Sequence, residues 1–482
     1  MQIEMIGHAT IFIKTQDCKI LMDPVLWDPF CEGLNESCPK REVIPEKLPE
    51  FDFLVISHQH LDHFDIRSLA YLPKTVDVFI PQDKLIQDCL HQLGYTHIYP
   101  LADFTTVRSG ATTLMTTRSE VRVPEFGMVF ADDSGVFWNT VDTYFAPETI
   151  QKVRASFSEI DFLLTTWHIS MEAKFQYNQR ISFPFELYSY LFNLIGLIQP
   201  KAIAPGASGF KYIGASSWQN QLVFPVTRER FCYDLQRAFP DLTENIFQLD
   251  PGDQLIFNRG EYHYMNCKSE YVKMLIDNRE SLVFSPVMFG NKQVDSNPEN
   301  YDLEEMKQQI KEKICLDLTQ FIIDNQTSLF QTHCQWQVIY QLEITFPDGY
   351  QIWNIDFSEE TIRAKPGRNP LANLFSYITA STFYSLIQRK HNWDYLTCSG
   401  EYRTFHKIYA ITQEEINSAE TINIVDPIQI KFSSNYIADN NIYEELAKWV
   451  SSSQNLSPTE EEPSMICLGN LLMKRKKQKQ TS

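Results

Sequence analysis

Apolar and polar positions alternate with period two at Ile11 and Ile13 and again at Ile20 and Met22, which predicts a β-hairpin near the start of the chain. The apolar run Phe53-Leu54-Val55-Ile56-Ser57 predicts a further strand. After Val76-Asp77-Val78 and Ile80-Pro81, the stretch Gln82 to Leu93 reads as a helix. Strands are expected again at Met128-Val129-Phe130, Val136-Phe137-Trp138 and Asp161-Phe162-Leu163-Leu164, and helices at Phe185 to Ile198 and Arg228 to Phe239. This alternation, up to about Pro251-Gly252, argues a layered α/β architecture.

Beyond that point the pattern changes. The polar stretch Asn291 to Tyr301 marks a boundary. Leu303 to Asp324 then reads as an amphipathic helix, and Trp336 to Thr345 with Gln351 to Phe357 as a hairpin around Phe346-Pro347-Asp348-Gly349-Tyr350. The expected organisation is a first domain over residues 1–265, a connecting segment over 266–302, a second α+β domain over 303–450 and a disordered tail over 451–482. The tail carries the charge blocks Glu460-Glu461-Glu462 and Lys474-Arg475-Lys476-Lys477, which are usually solvated.

Composition narrows the function classes. With 43% hydrophobic and 21% charged residues, the 482-residue chain has the make-up of a folded globular protein. Its net charge of −19 argues against a nucleic-acid backbone as partner, because such binding relies on Lys and Arg at phosphates. No apolar window is long enough to predict a membrane span. Ten cysteines occur singly with no CxxC pair, and Met1-Gln2-Ile3-Glu4 lacks the pattern of a signal peptide, so a cytoplasmic, reducing compartment is expected.

Of the eleven histidines, three fall within six residues, in His58-Gln59-His60-Leu61-Asp62-His63, directly after the strand ending at Ser57. Neutral imidazoles and a carboxylate suit Zn, Fe or Mn. The loop lets His58 and His60 turn toward one cation while Asp62 and His63 reach a second, with two metals about 3.5–4 Å apart as the expected geometry. A histidine-rich polar turn is the structural alternative, but burying this many ionisable groups without metal is costly.

The cluster resembles the HxHxDH motif of the metallo-β-lactamase superfamily, and Gly7-His8-Ala9-Thr10 with Ile20-Leu21-Met22-Asp23-Pro24 resembles the start of its lactonase-like branch. The resemblance covers about the first 260 residues and implies an αββα sandwich, with the second α+β domain following. It also implies a bridging aspartate, for which Asp142 in Thr140-Val141-Asp142-Thr143 is in place. The family's third histidine has no counterpart between His97 and His168. Glu120, in Arg118-Ser119-Glu120-Val121, is the candidate substitute; its alternative is an ion pair with Arg118 or Arg122. For the last ligand the candidates are His168, after Thr165-Thr166-Trp167, and His263.

The implied set is therefore His58, His60 and Glu120 on one metal, Asp62, His63 and His168 on the other, and Asp142 between them. Carboxylates in such number move preference from Zn toward Fe or Mn. This resembles the small diiron branch of the superfamily, including the chloramphenicol-pathway β-hydroxylases, in which Glu replaces the third His. Pro200 to Phe210, Asn392-Trp393-Asp394-Tyr395-Leu396 and Ser399-Gly400-Glu401-Tyr402-Arg403 are similar to parts of the CMP-N-acetylneuraminate hydroxylase family, whose members carry a Rieske domain. No paired Cys and His ligands for such a centre occur here, so electrons would come from a separate donor.

Two reactions follow. One is O₂-dependent hydroxylation of a small-molecule substrate at a diiron pair. The other is hydrolysis of a phosphodiester, lactone or amide at two cations, with Asp62 as the catalytic residue orienting water. A scaffold without metals is the third class, disfavoured by HxHxDH and Asp142. In the second domain Arg363, Lys365 and Arg368 offer a basic turn for a substrate anion, while His333, His391 and His406 read as structural.

Overall fold

The computed structural model describes residues 1–167, 171–177, 179, 183–207, 209–282, 284, 294–369, 371–411, 416–418, 424–433, 438–450 and 465–474. They form two compact units. The first joins Met1–Ile169, Phe183–Phe284 and Glu444–Ser482, and the second joins Ser170–Ser182 and Ser285–Tyr443.

The first unit is a sandwich of two sheets. One sheet begins with β1 (Gln2–Gly7), β2 (Thr10–Lys14) and β3 (Lys19–Met22), where Ile13 faces Ile20 and Ile11 faces Met22 in the expected hairpin. It continues through β4 (Phe53–Val55), β5 (Asp77–Pro81) and β6 (Ile98–Leu101), all parallel from β3 onward. The crossovers are α1 (Ile66–Tyr71) and α2 (Lys84–Gln92), the latter started by Asp83, whose side chain accepts from the Leu85 and Ile86 amides.

The second sheet holds β7 (Thr106–Ser109), β8 (Thr112–Thr116), β9 (Met128–Asp132), β10 (Gly135–Asn139), β11 (Phe162–Thr166) and β12 (Ile203–Gly206), the last three parallel. Strands β13 (Gln254–Asn258) and β14 (Glu261–Met265) return to the first sheet and extend it beside β1.

Side-chain alternation explains the layering. On β9, Met128 and Phe130 join the core between the sheets with Ile11, Ile20, Val55 and Phe137. Val129 points the other way, into a second core with Ile150 and Val153 of α3 (Pro147–Ser156), Leu194 and Ile198 of α4 (Phe185–Ile198) and Phe231 and Leu235 of α5 (Arg228–Ala238). No helix among the described residues is long and apolar enough to cross a membrane.

In the tail, residues 465–474 depart from the sequence expectation. Within it, β15 (Met465–Leu468) and β16 (Leu471–Lys474) form a hairpin that pairs in parallel with β7, and Met465 and Leu472 are buried in the core between the sheets. The reason is an apolar run around the two-residue turn Gly469-Asn470, a hairpin signal masked by the flanking charge blocks.

In the second unit, a five-stranded sheet pairs Ile339–Phe346 antiparallel with Gly349–Asp356 and parallel with Leu374–Thr379. The expected helix runs from Leu303 to Asp324 with a π-helical segment at Lys313–Leu318, and buries Met306, Ile310, Ile314, Leu318 and Ile322. Two members of the basic turn are already paired: Lys365 bonds Glu359 and Arg368 lies 3.1 Å from Glu343. His333 gives Nε2 to the Val425 carbonyl at 2.8 Å, as expected of a structural histidine.

Candidate metal centre

Parallel strands place their C-terminal ends along one rim, and the centre is built there. At the end of β3 lies Asp23, at the end of β4 the loop Ser57 to His63, and just past β10 Asp142. The turn between β1 and β2 adds His8.

The backbone at these points is unusual. His8 and Asp23 sit at φ of 51° and 46°, and β-branched Val141 at 53°, a region such residues seldom enter. Gly7 is required: a Cβ there would lie 2.2 Å from Arg41 Nε. Arg41 is buried and donates to the Val25 and Leu26 carbonyls, while Thr10 Oγ1 donates to the Asp23 carbonyl at 2.7 Å, tying the two loops together.

Asp23 organises the histidine loop. Its carboxylate accepts from the Ser57 amide and hydroxyl, both at 2.7 Å, and lies 2.9 Å from His63 Nδ1. That fixes the His63 ring and turns Nε2 outward, 3.1 Å from Asp142 Oδ2 and 3.7 Å from Asp62 Oδ2. Ser57 Oγ also lies 2.9 Å from His58 Nδ1, so His58 presents Nε2, 2.8 Å from His60 Nδ1. His8 Nε2 lies 3.1 Å from Asp62 Oδ2.

The electrostatics separate these groups. Burial, then the neighbouring imidazoles of His63 and His60, holds His58 well below the usual histidine range, so it is neutral with a lone pair to give. Burial opposes charge on His63 as well, but Asp62 and Asp142 outweigh it and hold the ring well above its usual range. Asp62 is held well below the carboxylate range, since His63 and the bond from His8 overcome burial.

The structure thus brings His58, His60, Asp62, His63 and Asp142 together. Donor atoms of His58, His63 and Asp142 lie within 4.8 Å of one another, as do those of His8, Asp62 and His63. Three crowded imidazoles facing two carboxylates fit divalent cations, which would relieve the close approach of ring nitrogens and satisfy the acids.

Glu120 makes the ion pair that is its alternative role. Its carboxylate lies 2.9 Å from Arg118 Nε and is one-third exposed, because the loop after β8 directs it outward. The acid that the same loop turns inward is Glu125, 9% exposed and held by the Ser119 hydroxyl. Burial raises its carboxyl, the Ser119 bond opposes this, Asp142 raises it further, and His60 and His63 pull it back. Glu125 is thus electrostatically coupled to Asp142, His60 and His63. Its sequence signal was an acid between Pro124 and the apolar entry Phe126-Gly127-Met128 to β9.

His168 lies outside the described residues. His263 is exposed on the edge strand β14, opposite Ile256. In the sequence His8 and Asp23 stand only as family landmarks; nothing local to either indicates contact with a loop more than thirty residues away.

Residues 2–131 match the Beta-lactamase superfamily domain. The chain is 34% identical over 83 residues to N-acyl-phosphatidylethanolamine-hydrolyzing phospholipase D 1 of Caenorhabditis elegans, covering 16% of this chain and 23% of that protein. It is 28% identical over 117 residues to 4-amino-L-phenylalanyl-[CmlP-peptidyl-carrier-protein] 3-hydroxylase of Streptomyces venezuelae, covering 23% and 21%. These matches span less than a quarter of either relative. The solved isothiocyanate hydrolase from Delia radicum gut bacteria is 18% identical, with 54% of this chain and all of that one covered and a TM-score of 0.40. The first unit thus has the expected two-sheet sandwich with a histidine loop at the strand ends, and its residues 2–131 are similar to the Beta-lactamase superfamily domain.

Proposed function

We propose that the centre holds two metal ions, iron in the leading reading, and that the protein is an O₂-dependent hydroxylase of a small molecule. His58, His60 and Glu125 would hold one ion, and Asp62 and His63 the other, with Asp142 between them. His168 would complete the second. When bound, an iron pair supplies the redox chemistry toward O₂ that side chains lack.

The observation that carries this reading is the buried Glu125, which is electrostatically coupled to Asp142, His60 and His63. Three carboxylates among imidazoles form a donor set that favours Fe or Mn over Zn. Overall, a C–H bond, O₂, two electrons and two protons would give C–OH and water. The electrons require a separate donor, since the chain has no paired Cys and His ligands for a Rieske centre. In that scheme Asp23 orients His63, and His8 orients Asp62. Singly spaced thiols fit a reducing, cytoplasmic setting.

A hydrolase is the second reading, favoured by Asp62. It is held anionic, keeps 22% exposure, and could align or deprotonate an attacking water. The names of the two relatives divide in the same way, one a hydrolysing enzyme and one a hydroxylase.

Metal analysis of protein from iron- and zinc-supplemented cells decides, read beside the visible spectrum before and after dithionite and then O₂. About two irons per chain with a reducible band supports the hydroxylase. Two zincs without redox response would overturn it in favour of the hydrolase. Glu125→Ala should lose about one ion per chain; retention of both would sink its place in the set.

A further inference from the structure

Next to His8 the first unit has a pocket open to solvent, walled in part by Trp167, Phe210, Phe224, Leu249 and Arg228. Its walls are mainly apolar and aromatic, the make-up of a small-molecule pocket. Cys38 also lines it, but burial pushes that thiol up to about 12, so it is no nucleophile.

Two polar groups of the wall have unused capacity. The His8 side chain is 1% exposed and bonds Asp62 through Nε2, leaving Nδ1 buried without a partner. Its ring is fixed by Phe30 and Phe210, at centroid distances of 5.8 and 5.3 Å. Arg228, at the first position of α5, has a side chain only 11% exposed. Its Nη1 donates to Asp250 at 2.7 Å and to the Leu249 carbonyl at 3.4 Å, whereas Nε is buried without a partner and Nη2 makes no hydrogen bond among the described residues.

Nε and Nη2 form one edge of the planar guanidinium, the fork that grips a carboxylate or phosphate through two parallel bonds. Arg279 cannot take this role, because its Nε and Nη2 both donate to Asp277 and its Nη1 to Asp250. Two arginines against two aspartates leave this wall near neutrality, with Glu229 exposed 3.8 Å from Arg279. Recognition there rests on the geometry of the fork, not on a positive field.

We propose that this pocket is the substrate site and takes an amphipathic oxyanion, an apolar or aromatic body ending in a carboxylate or phosphate. The oxyanion sits on the Nε and Nη2 edge of Arg228, and a polar group of the body meets His8 Nδ1. The inference rests on the metalloenzyme reading for the chemistry done on that body, though not for the binding.

Calorimetric titration of the metal-loaded protein with 4-phenylbutyrate, 4-phenylbutyl phosphate and 4-phenylbutanamide tests it. At least one oxyanion should bind ten-fold or more tightly than the amide, and the better of the two identifies the headgroup. Arg228→Gln and Arg228→Lys should each erase that advantage with amide affinity and metal content unchanged; the lysine variant keeps the charge beside Asp250 and loses only the fork. Equal binding of acid and amide by the wild type overturns the proposal without any variant. An advantage surviving in either variant also overturns it, since the probe is then held by the metals. Discrimination through Arg228 in a protein that holds no metal would instead overturn the enzyme reading and leave the pocket standing.

Discussion

Each unit shelters an aspartate, and the two carboxyls are driven in opposite directions. In the first unit, burial works against the charge of Asp62, yet His63 and His8 hold it well below the usual range. In the second, burial raises Asp426, and its neighbours do not overcome it. Asp426 accepts from the Tyr402 hydroxyl and the Ile428 and Gln429 amides at the start of helix Pro427–Ser433. Hydroxyls and amides satisfy an acid whether or not it is ionised, whereas imidazoles can share a cation with it. The difference marks the first carboxylate as part of a centre for charge and the second as a cap.

The largest expected effect separates the two at once. His58→Ala should lower metal content from about two ions per chain to below one, because its neutral Nε2 faces His60 and has no substitute on β4. Unfolding of the second unit should not change; metal analysis with urea titration reads both.

Asp426→Ala should do the reverse. Leaving the Tyr402 hydroxyl and two amides unpaired costs roughly 2–4 kcal/mol in the second unit, with metal content intact. Asp426→Asn should recover most of that loss, and a urea midpoint unchanged in the alanine variant would refute the capping role.

A smaller effect concerns pH. Burial raises Glu401 from 4.5 to about 7, reinforced by Asp295 and opposed by the Thr379 hydroxyl and Arg403. Its folded-state pKa lies above the unfolded one, so its stabilising contribution is full below about pH 4.5 and is lost as pH rises to 7. The loss is on the order of 2–3 kcal/mol across that window. Melting of the second unit should therefore weaken between pH 5 and 8, and Glu401→Gln should flatten the dependence; a variant with the wild-type slope would exclude Glu401 as its source.

The smallest effect is a near-zero. Glu120→Ala removes a partly exposed ion pair with Arg118, so metal content should hold and stability should change by less than about 0.5 kcal/mol. Loss of an ion in that variant would return Glu120 to the centre.

Much of this was legible in the chain. Period-two alternation at Ile11, Ile13, Ile20 and Met22 determined a hairpin, and six residues after an apolar strand determined where imidazoles and a carboxylate would gather. Those signals are local: one strand's pleat and one short loop are enough to produce them. The Glu120 and Glu125 pair was not legible, because both acids lie in one irregular loop and no periodicity tells which turns inward. Only pairing between β8 and β9, with the Ser119 bond, decides it. The same holds for Asp23 beneath His63, for His8 against Asp62 and for the free edge of Arg228. Each depends on strands and helices distant in sequence meeting at one rim, and the contact free energy that selects those positions exists only once both sheets have closed on their common core.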